Sequence, residues 1–223
     1  MHPLLARRVT QQRVGILLLT SDRGLAGGLN ANILRLTAHH FGQQKVPVAA
    51  AVVGRKGRDW LTRTGHDMRA EFSGINDRPA YLDIVPVARV LIDDYINGYI
   101  DEVDIIYTRF VNTLVQRPVV QRLLPIEPPE GDEKRAVEYI YEPNARQVLA
   151  ELLPRYVEVQ VYAALLEAVA SEQSARMVAM RAATDNANEI VTELTLVYNQ
   201  ARQAAIPTEL IDIVGGSAGV SVR

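Results

Sequence analysis

The chain of 223 residues contains no cysteine. That excludes a disulfide framework, a zinc–thiolate centre and a thiol nucleophile, and it suits a reducing compartment. Neither sign of charge dominates. Lys+Arg 24 against Asp+Glu 26 leaves a formal charge of -2, which argues against a general nucleic-acid-coating role. Long apolar runs are missing too. The longest, Ile16 to Leu19 and Val48 to Val53, fall far short of the ~18 residues a membrane span needs. No targeting segment is read at the start. Arg7, Arg8 and Arg13 with no acid give a faint transit-peptide flavour, but the run Ile16 to Leu19 is too short for a secretory core and Asp22 and Arg23 follow it at once. What remains is ordinary for a soluble globular chain: 48% apolar and 22% charged residues. The length suits one large domain, or one domain plus an appendage.

The first half alternates short apolar runs with helical patterns. Val14 to Thr20, Pro47 to Val53, Met68 to Phe72 and Val103 to Phe110 read as strands. Asn30 to Phe41, Arg55 to Arg63 and Tyr81 to Tyr99 read as helices, the last with Ile84, Val87, Leu91 and Tyr95 on a broad apolar stripe. Strands alternating with helices predict an α/β domain with a mostly parallel sheet. Leu114 to Leu124 reads as a further strand, Pro125 to Lys134 as a loop rich in proline and charge, and Ala136 to Tyr141 as a strand with Val137, Tyr139 and Tyr141 on one face.

After Pro143 the pattern changes. Asn144 is placed to cap a helix, with Gln147 three residues on, and Pro154 is expected to kink or restart it. From Arg155 to Ile206, 52 residues, there is neither proline nor glycine; a helix of that length is roughly 78 Å long. Leu166, Ala170, Gln173, Met177, Met180, Thr184, Ala187, Val191, Leu194, Tyr198, Ala201 and Ala205 follow a 4-3 spacing, the seam of a coiled coil. No other helical pattern matches it in length, so its partner is expected from outside the chain or from a missing piece. The sequence thus divides into residues 1–143, an α/β domain, and 144–223, a helical shaft.

Candidate chemistry is thin. Gly24, Gly27 and Gly28 sit between a strand and a helix, where phosphate loops occur. Their spacing fits neither G-x-G-x-x-G nor the Walker A template, so no nucleotide is inferred and the glycines read as packing devices. His39-His40 diverge on a helix and make a poor metal pair. Arg55, Lys56 and Arg58 near a strand end could hold an anion, though a solvated loop explains them as well. Thr184-Asp185-Asn186 reads either as a solvated face or as a polar layer that fixes register. No catalytic residue, metal ligand or cofactor site is assigned.

Three segments resemble one family, the gamma subunit of rotary ATP synthases: TSDRGLAGGLN at 20–30, SEQSARMVAMRAATDNA at 171–187 and VYNQARQAAI at 197–206. The resemblance covers essentially the whole chain. It implies a Rossmann-like, mostly parallel foot domain without bound nucleotide, followed by a very long C-terminal coiled-coil helix. It implies a noncatalytic central-stalk rotor subunit, with ATP chemistry on surrounding beta subunits and rotation of a membrane ring coupled to their conformation. The implied partners are the alpha and beta subunits of the head, an epsilon-type central-stalk subunit, the c subunits of the membrane ring and the family's N-terminal gamma helix. The chain begins just before its first strand, so that helix is expected to be absent here. It would be the partner of the seam. The implied location is peripheral, on the cytoplasmic side of an energy-transducing membrane such as a bacterial inner membrane.

Carried over by position, Arg176, Arg202 and Gln203 match residues that meet the beta subunits, and Tyr139, Tyr141 and Glu142 match residues that face the membrane ring. Two tyrosines on one strand face also suit plain sheet packing, and an arginine on a rod is by default solvated. Pro207 stands where many relatives have threonine, and is expected to end or kink the helix near Ile206, so that Thr208 to Val214 continues at a different angle. A different class of protein, a Rossmann-type nucleotide-binding enzyme with a helical oligomerisation arm, is the alternative; nucleotide binding by the isolated chain would distinguish it.

Overall fold

The computed structural model describes residues 3–8, 10–127, 142 and 144–220. Two compact units divide the chain, Met1–Val178 and Ala179–Arg223. The first is built on a five-stranded sheet. Strands β1 (Val14–Leu19), β2 (Val48–Val53), β3 (Met68–Phe72), β4 (Glu102–Phe110) and β5 (Gln116–Leu124) lie in the order β3-β2-β1-β4-β5. The first four are parallel, and β5 returns antiparallel to β4 through a tight hairpin.

Between them run helices α1 (Leu29–Gln43), α2 (Arg55–Thr64) and α3 (Tyr81–Ile96). Because β1 is covered on both faces, all six of its residues are buried, which is why it reads as a continuous apolar run. Alternate residues go to opposite faces. Ile16, Leu18, Ala50 and Val52 meet Ile33 and Phe41 of α1 and Leu61 of α2. Leu17, Leu19, Ala51 and Ile105 meet α3 through Ile84, Val87 and Leu91.

Helix α4 spans Ala145–Val220. Asn144 caps it: its Oδ1 accepts from the Gln147 N–H at 2.9 Å, while the two side-chain amides bond to each other at 2.8 Å. In the first unit α4 packs on the same sheet face as α3. Val157 and Val161 are fully buried there, with Ala164 and Leu165 beside them; burying each valine is worth roughly 1.5–3 kcal/mol. The helix neither restarts at Pro154 nor ends at Pro207, for it continues through both; of the expected alternatives, the restart and the end are overturned. A proline inside a helix forfeits one N–H bond and crowds the carbonyl four residues back. The second unit is helical from residue 179 to 220. The strand expected at Ala136 to Tyr141 lies outside the described residues.

Candidate functional site

In a doubly wound sheet, ligands collect outside the carboxyl ends of the strands, where the strand order reverses. Here the chain moves from β1 outward to β3 and then returns to β4, so the reversal lies between β1 and β4. Helix α4 crosses this point. Its Ser171 Oγ donates to the Thr108 carbonyl near the end of β4 at 3.0 Å, and its Arg176 Nη2 approaches the Gly24 carbonyl beyond β1 at 3.5 Å.

A cleft of about 300 Å³ remains on the β2 side, lined by Thr20, Asp22, Arg23, Arg55, Asn76, Asp77 and Glu172 among others. The first turn of α2 opens on this region, and such a turn normally offers unpaired N–H groups to an anion. In this chain three successive residues after β1 take them. The Arg55 N–H donates to Asp22 Oδ1 at 2.9 Å, the Lys56 N–H to the Ser21 carbonyl at 3.2 Å and the Gly57 N–H to Thr20 Oγ1 at 2.8 Å. Asp22 Oδ2 also accepts from the Gly74 N–H at 2.8 Å, tying in the loop after β3. The Asp22 carboxylate thus serves as an internal anion for the first turn of α2 and for the loop after β3. The approach of the two strand ends is close: Gly54 has φ +97°, and a Cβ there would lie 2.1 Å from the Thr20 carbonyl oxygen. The segment 52–58, an anion candidate by its charges, thus has its backbone donors used internally, while Arg55 and Lys56 are exposed.

The loop after β1 is held by Ser21, nearly buried, whose Oγ donates to the Arg23 carbonyl at 2.7 Å and accepts from Asn30 Nδ2 at 2.7 Å. Beyond it Leu25 has φ +63° and Gly27 φ +57°. A left-handed leucine is uncommon, and this one is 74% exposed.

Of the residues carried over by resemblance, Arg176 is half-buried, paired with Glu172 at 2.5 Å and bonded to Gln173 at 3.2 Å. Arg202 and Gln203, in the second unit, are exposed. Glu142 is exposed, and Tyr139 and Tyr141 lie outside the described residues. The seam positions Leu166, Ala170, Gln173 and Met177 are exposed in the first unit. In the second, Val191, Leu194 and Tyr198 are each more than 60% exposed. Thr184 Oγ1 donates to the Met180 carbonyl, and Asp185 and Asn186 are exposed.

Sequence reasoning missed a polar cluster at the opposite end of the sheet. His40 Nε2 lies 3.0 Å from Asp104 Oδ2, and Arg122 donates to Asp104 Oδ1 at 2.7 Å while also pairing with Glu102, which Gln11 bonds as well. Burial pushes the Glu102 carboxyl above its ordinary value, against the pull of Arg122. Among the described residues no group of three or more His, Cys, Asp or Glu is arranged to hold a metal, and no helix is long and apolar enough to cross a membrane.

Comparison with known proteins adds a lineage to this geometry. The family model described as ATP synthase matches residues 1–220. The ATP synthase gamma chain of Dehalococcoides mccartyi is 56% identical over 221 residues, covering 99% of this chain and 77% of that one. The gamma chain of a Roseiflexus species is 48% identical over 221 residues, covering 98% and 76%. Among solved structures, a chain of the Euglena gracilis mitochondrial ATP synthase (OSCP/F1/c-ring, rotational state 3) matches with a TM-score of 0.71 at 19% identity, over 98% of this chain and 78% of that one, a likeness of fold.

Proposed function

The chain belongs to the ATP synthase gamma-chain family, and from that premise we propose that it is the central-stalk rotor subunit, coupling rotation of the membrane ring to conformational change at catalytic sites on other subunits. In this reading residues 1–143 are the foot, 144–223 the shaft, and the chain itself performs no ATP chemistry. The observation that supports this most is at the strand ends: α4 crosses the reversal point, bonding the Thr108 and Gly24 carbonyls where an open sheet would leave a crevice for a nucleotide.

The second unit supports the shaft role. Large apolar side chains at 4-3 spacing stand exposed along it, as suits a helix that gains its burial from partners. The partners are the alpha and beta subunits of the head, an epsilon-type subunit, the c subunits of the ring and a second gamma helix along the seam. Arg202 and Gln203 meet the beta subunits by hydrogen bonds to carboxylates or carbonyls; Arg176 joins them only by exchanging its internal Glu172 partner. Tyr139, Tyr141 and Glu142 face the ring. The protein is a peripheral part of a membrane-bound complex, on the cytoplasmic face of a bacterial inner membrane.

The test is reconstitution. Combined with alpha and beta subunits and with the second gamma helix that the seam requires, the chain should support ATP-driven rotation of a probe fixed to its foot, and alone it should neither bind nor hydrolyse ATP. Tight ATP binding by the isolated chain would favour the nucleotide-binding enzyme instead.

A further inference from the structure

Hydroxyl groups on α4 behave in two ways. Thr184, Thr192 and Thr195 donate back to carbonyls of their own helix four residues earlier, at 3.0, 2.8 and 2.7 Å, the common habit of a hydroxyl inside a helix. Ser171 and Ser174 donate outward instead. Ser171 Oγ reaches the Thr108 carbonyl at 3.0 Å in buried surroundings, and Ser174 Oγ reaches the Thr113 carbonyl at 2.8 Å. Both acceptors belong to the β4–β5 hairpin. Thr108 stands opposite Pro118 in the strand register.

Two longer polar ties join the same stretch of helix to the sheet unit, Arg109 Nε with Glu167 at 3.8 Å and Arg176 with the Gly24 carbonyl at 3.5 Å, while earlier on α4 Glu158 and Arg155 bond the Tyr81 hydroxyl and the Tyr162 hydroxyl donates to the Pro79 carbonyl. The apolar contacts of Val157, Val161 and Leu165 hold helix and sheet together, but hydrophobic attraction has no direction of its own. Hydrogen bonds weaken steeply when their angle is spoiled. Turning the helix about its axis is therefore opposed most sharply by the polar ties.

We propose that Ser171 and Ser174 are positioning residues for torque transfer, fixing the rotational setting of α4 against the β4–β5 hairpin. The proposal rests on the rotor reading. A rotor foot that slips against its helix stores applied torque as twist instead of passing it along. The two serines, the shorter ties that residues 167–176 make to the sheet unit, contribute to that stiffness at the hairpin.

The experiment uses the assembled ATP synthase with its head immobilised and a probe on an exposed residue of α2. The angular variance of the probe in the stalled complex is the inverse of torsional stiffness. With these two ties to the hairpin removed, S171A/S174A should raise the variance above the wild-type value. S174A, at a half-buried position whose acceptor residue Thr113 is exposed, should give a smaller rise. A merely structural role would shift the unfolding temperature without moving the variance of the folded complex. Wild-type variance in both S171A/S174A and S174A overturns the proposal, and S174A alone decides it if the double variant fails to assemble. An unmodified complex that shows no ATP-driven rotation defeats the rotor reading itself, whereas normal rotation with unchanged variance defeats only the role of the serines.

Discussion

Replacing Asp22 by alanine tests the internal-anion argument directly. Its carboxylate accepts two backbone N–H groups, from Arg55 at 2.9 Å and Gly74 at 2.8 Å, and so links three loops at the strand ends. A hydrogen bond to a charged group contributes about 1.5–3 kcal/mol in favourable settings, and loss of a helix-capping side chain costs about 0.5–2 kcal/mol. Both bonds are solvent-exposed, so water replaces part of what is lost, and D22A should cost about 2 kcal/mol. With a urea dependence of about 2 kcal/mol per molar, the midpoint falls by about 1 M. The assay has a built-in probe. Trp60, the only tryptophan of the chain, lies on α2 against Phe41 and His66, with ring centroids 5.9 and 5.6 Å away, and its fluorescence reports this region. D22N keeps one acceptor but turns the other toward a donor, and should fall between. If the carboxylate stands in for an anion, inorganic phosphate should stabilise D22A and not the parent, by about 1.4 kcal/mol at ten times its dissociation constant. An unchanged midpoint in D22A, or equal phosphate effects on both proteins, would refute the reasoning.

Three further outcomes are expected. Gly54→Ala should cost about 3 kcal/mol or more in chemical denaturation, since the new Cβ meets the Thr20 backbone at a φ that disfavours any side chain. Burial would raise the Asp101 carboxyl, but the Gln12 and Arg13 N–H groups and the Arg8 guanidinium outweigh it and hold it below its ordinary value; its stabilisation is complete above about pH 4 and is lost as pH falls through the lower folded value. D101N should therefore flatten the acid limb of the stability curve below about pH 4, as read by urea unfolding at stepped pH, and an unchanged slope would contradict the assigned contacts. Arg202→Ala with Gln203→Ala should leave unfolding of the isolated chain unchanged, because both side chains are exposed, while lowering ATP turnover of the reconstituted complex; wild-type turnover would mean that they are merely solvated.

Most strands were legible because local patterns decide them. Met68–Phe72 and the apolar run of β1 are bounded by turn residues, and their period leaves no good helical alternative. Ends were less so. The helix read as Tyr81 to Tyr99 stops at Ile96 because Gly98, at φ +78°, turns the chain and the Tyr99 N–H returns to the Asp94 carbonyl, a glycine stop the pattern contained. The strand read from Leu114 begins at Gln116, since Asn112 Oδ1 accepts the N–H groups of Leu114 and Val115 in a side-chain turn. On α4 periodicity alone was insufficient. Val157, Val161, Ala164 and Leu165 form one apolar stripe and Leu166, Ala170 and Met177 lie on another, and nothing local says which meets the sheet. The Asp22 anchor and the His40–Asp104 pair escaped for a related reason: they join residues 33, 52 and 64 positions apart, which spacing rules do not reach.

The pairing of Val14 with Glu102 has a consequence for how the chain is made. Once made, strand β1 waits for 88 more residues before its second neighbour exists. At about 5–20 residues per second that is a delay of roughly 4–18 s, far longer than collapse of a chain this size. The sheet face of Leu17 and Ile105 waits longer still, because Val157, Val161 and Leu165 are among the residues that cover it. Until they emerge the nascent polypeptide displays an apolar platform to its neighbours on the polysome. Chaperone demand during translation should therefore persist until α4 has been threaded through the exit tunnel, and then fall sharply.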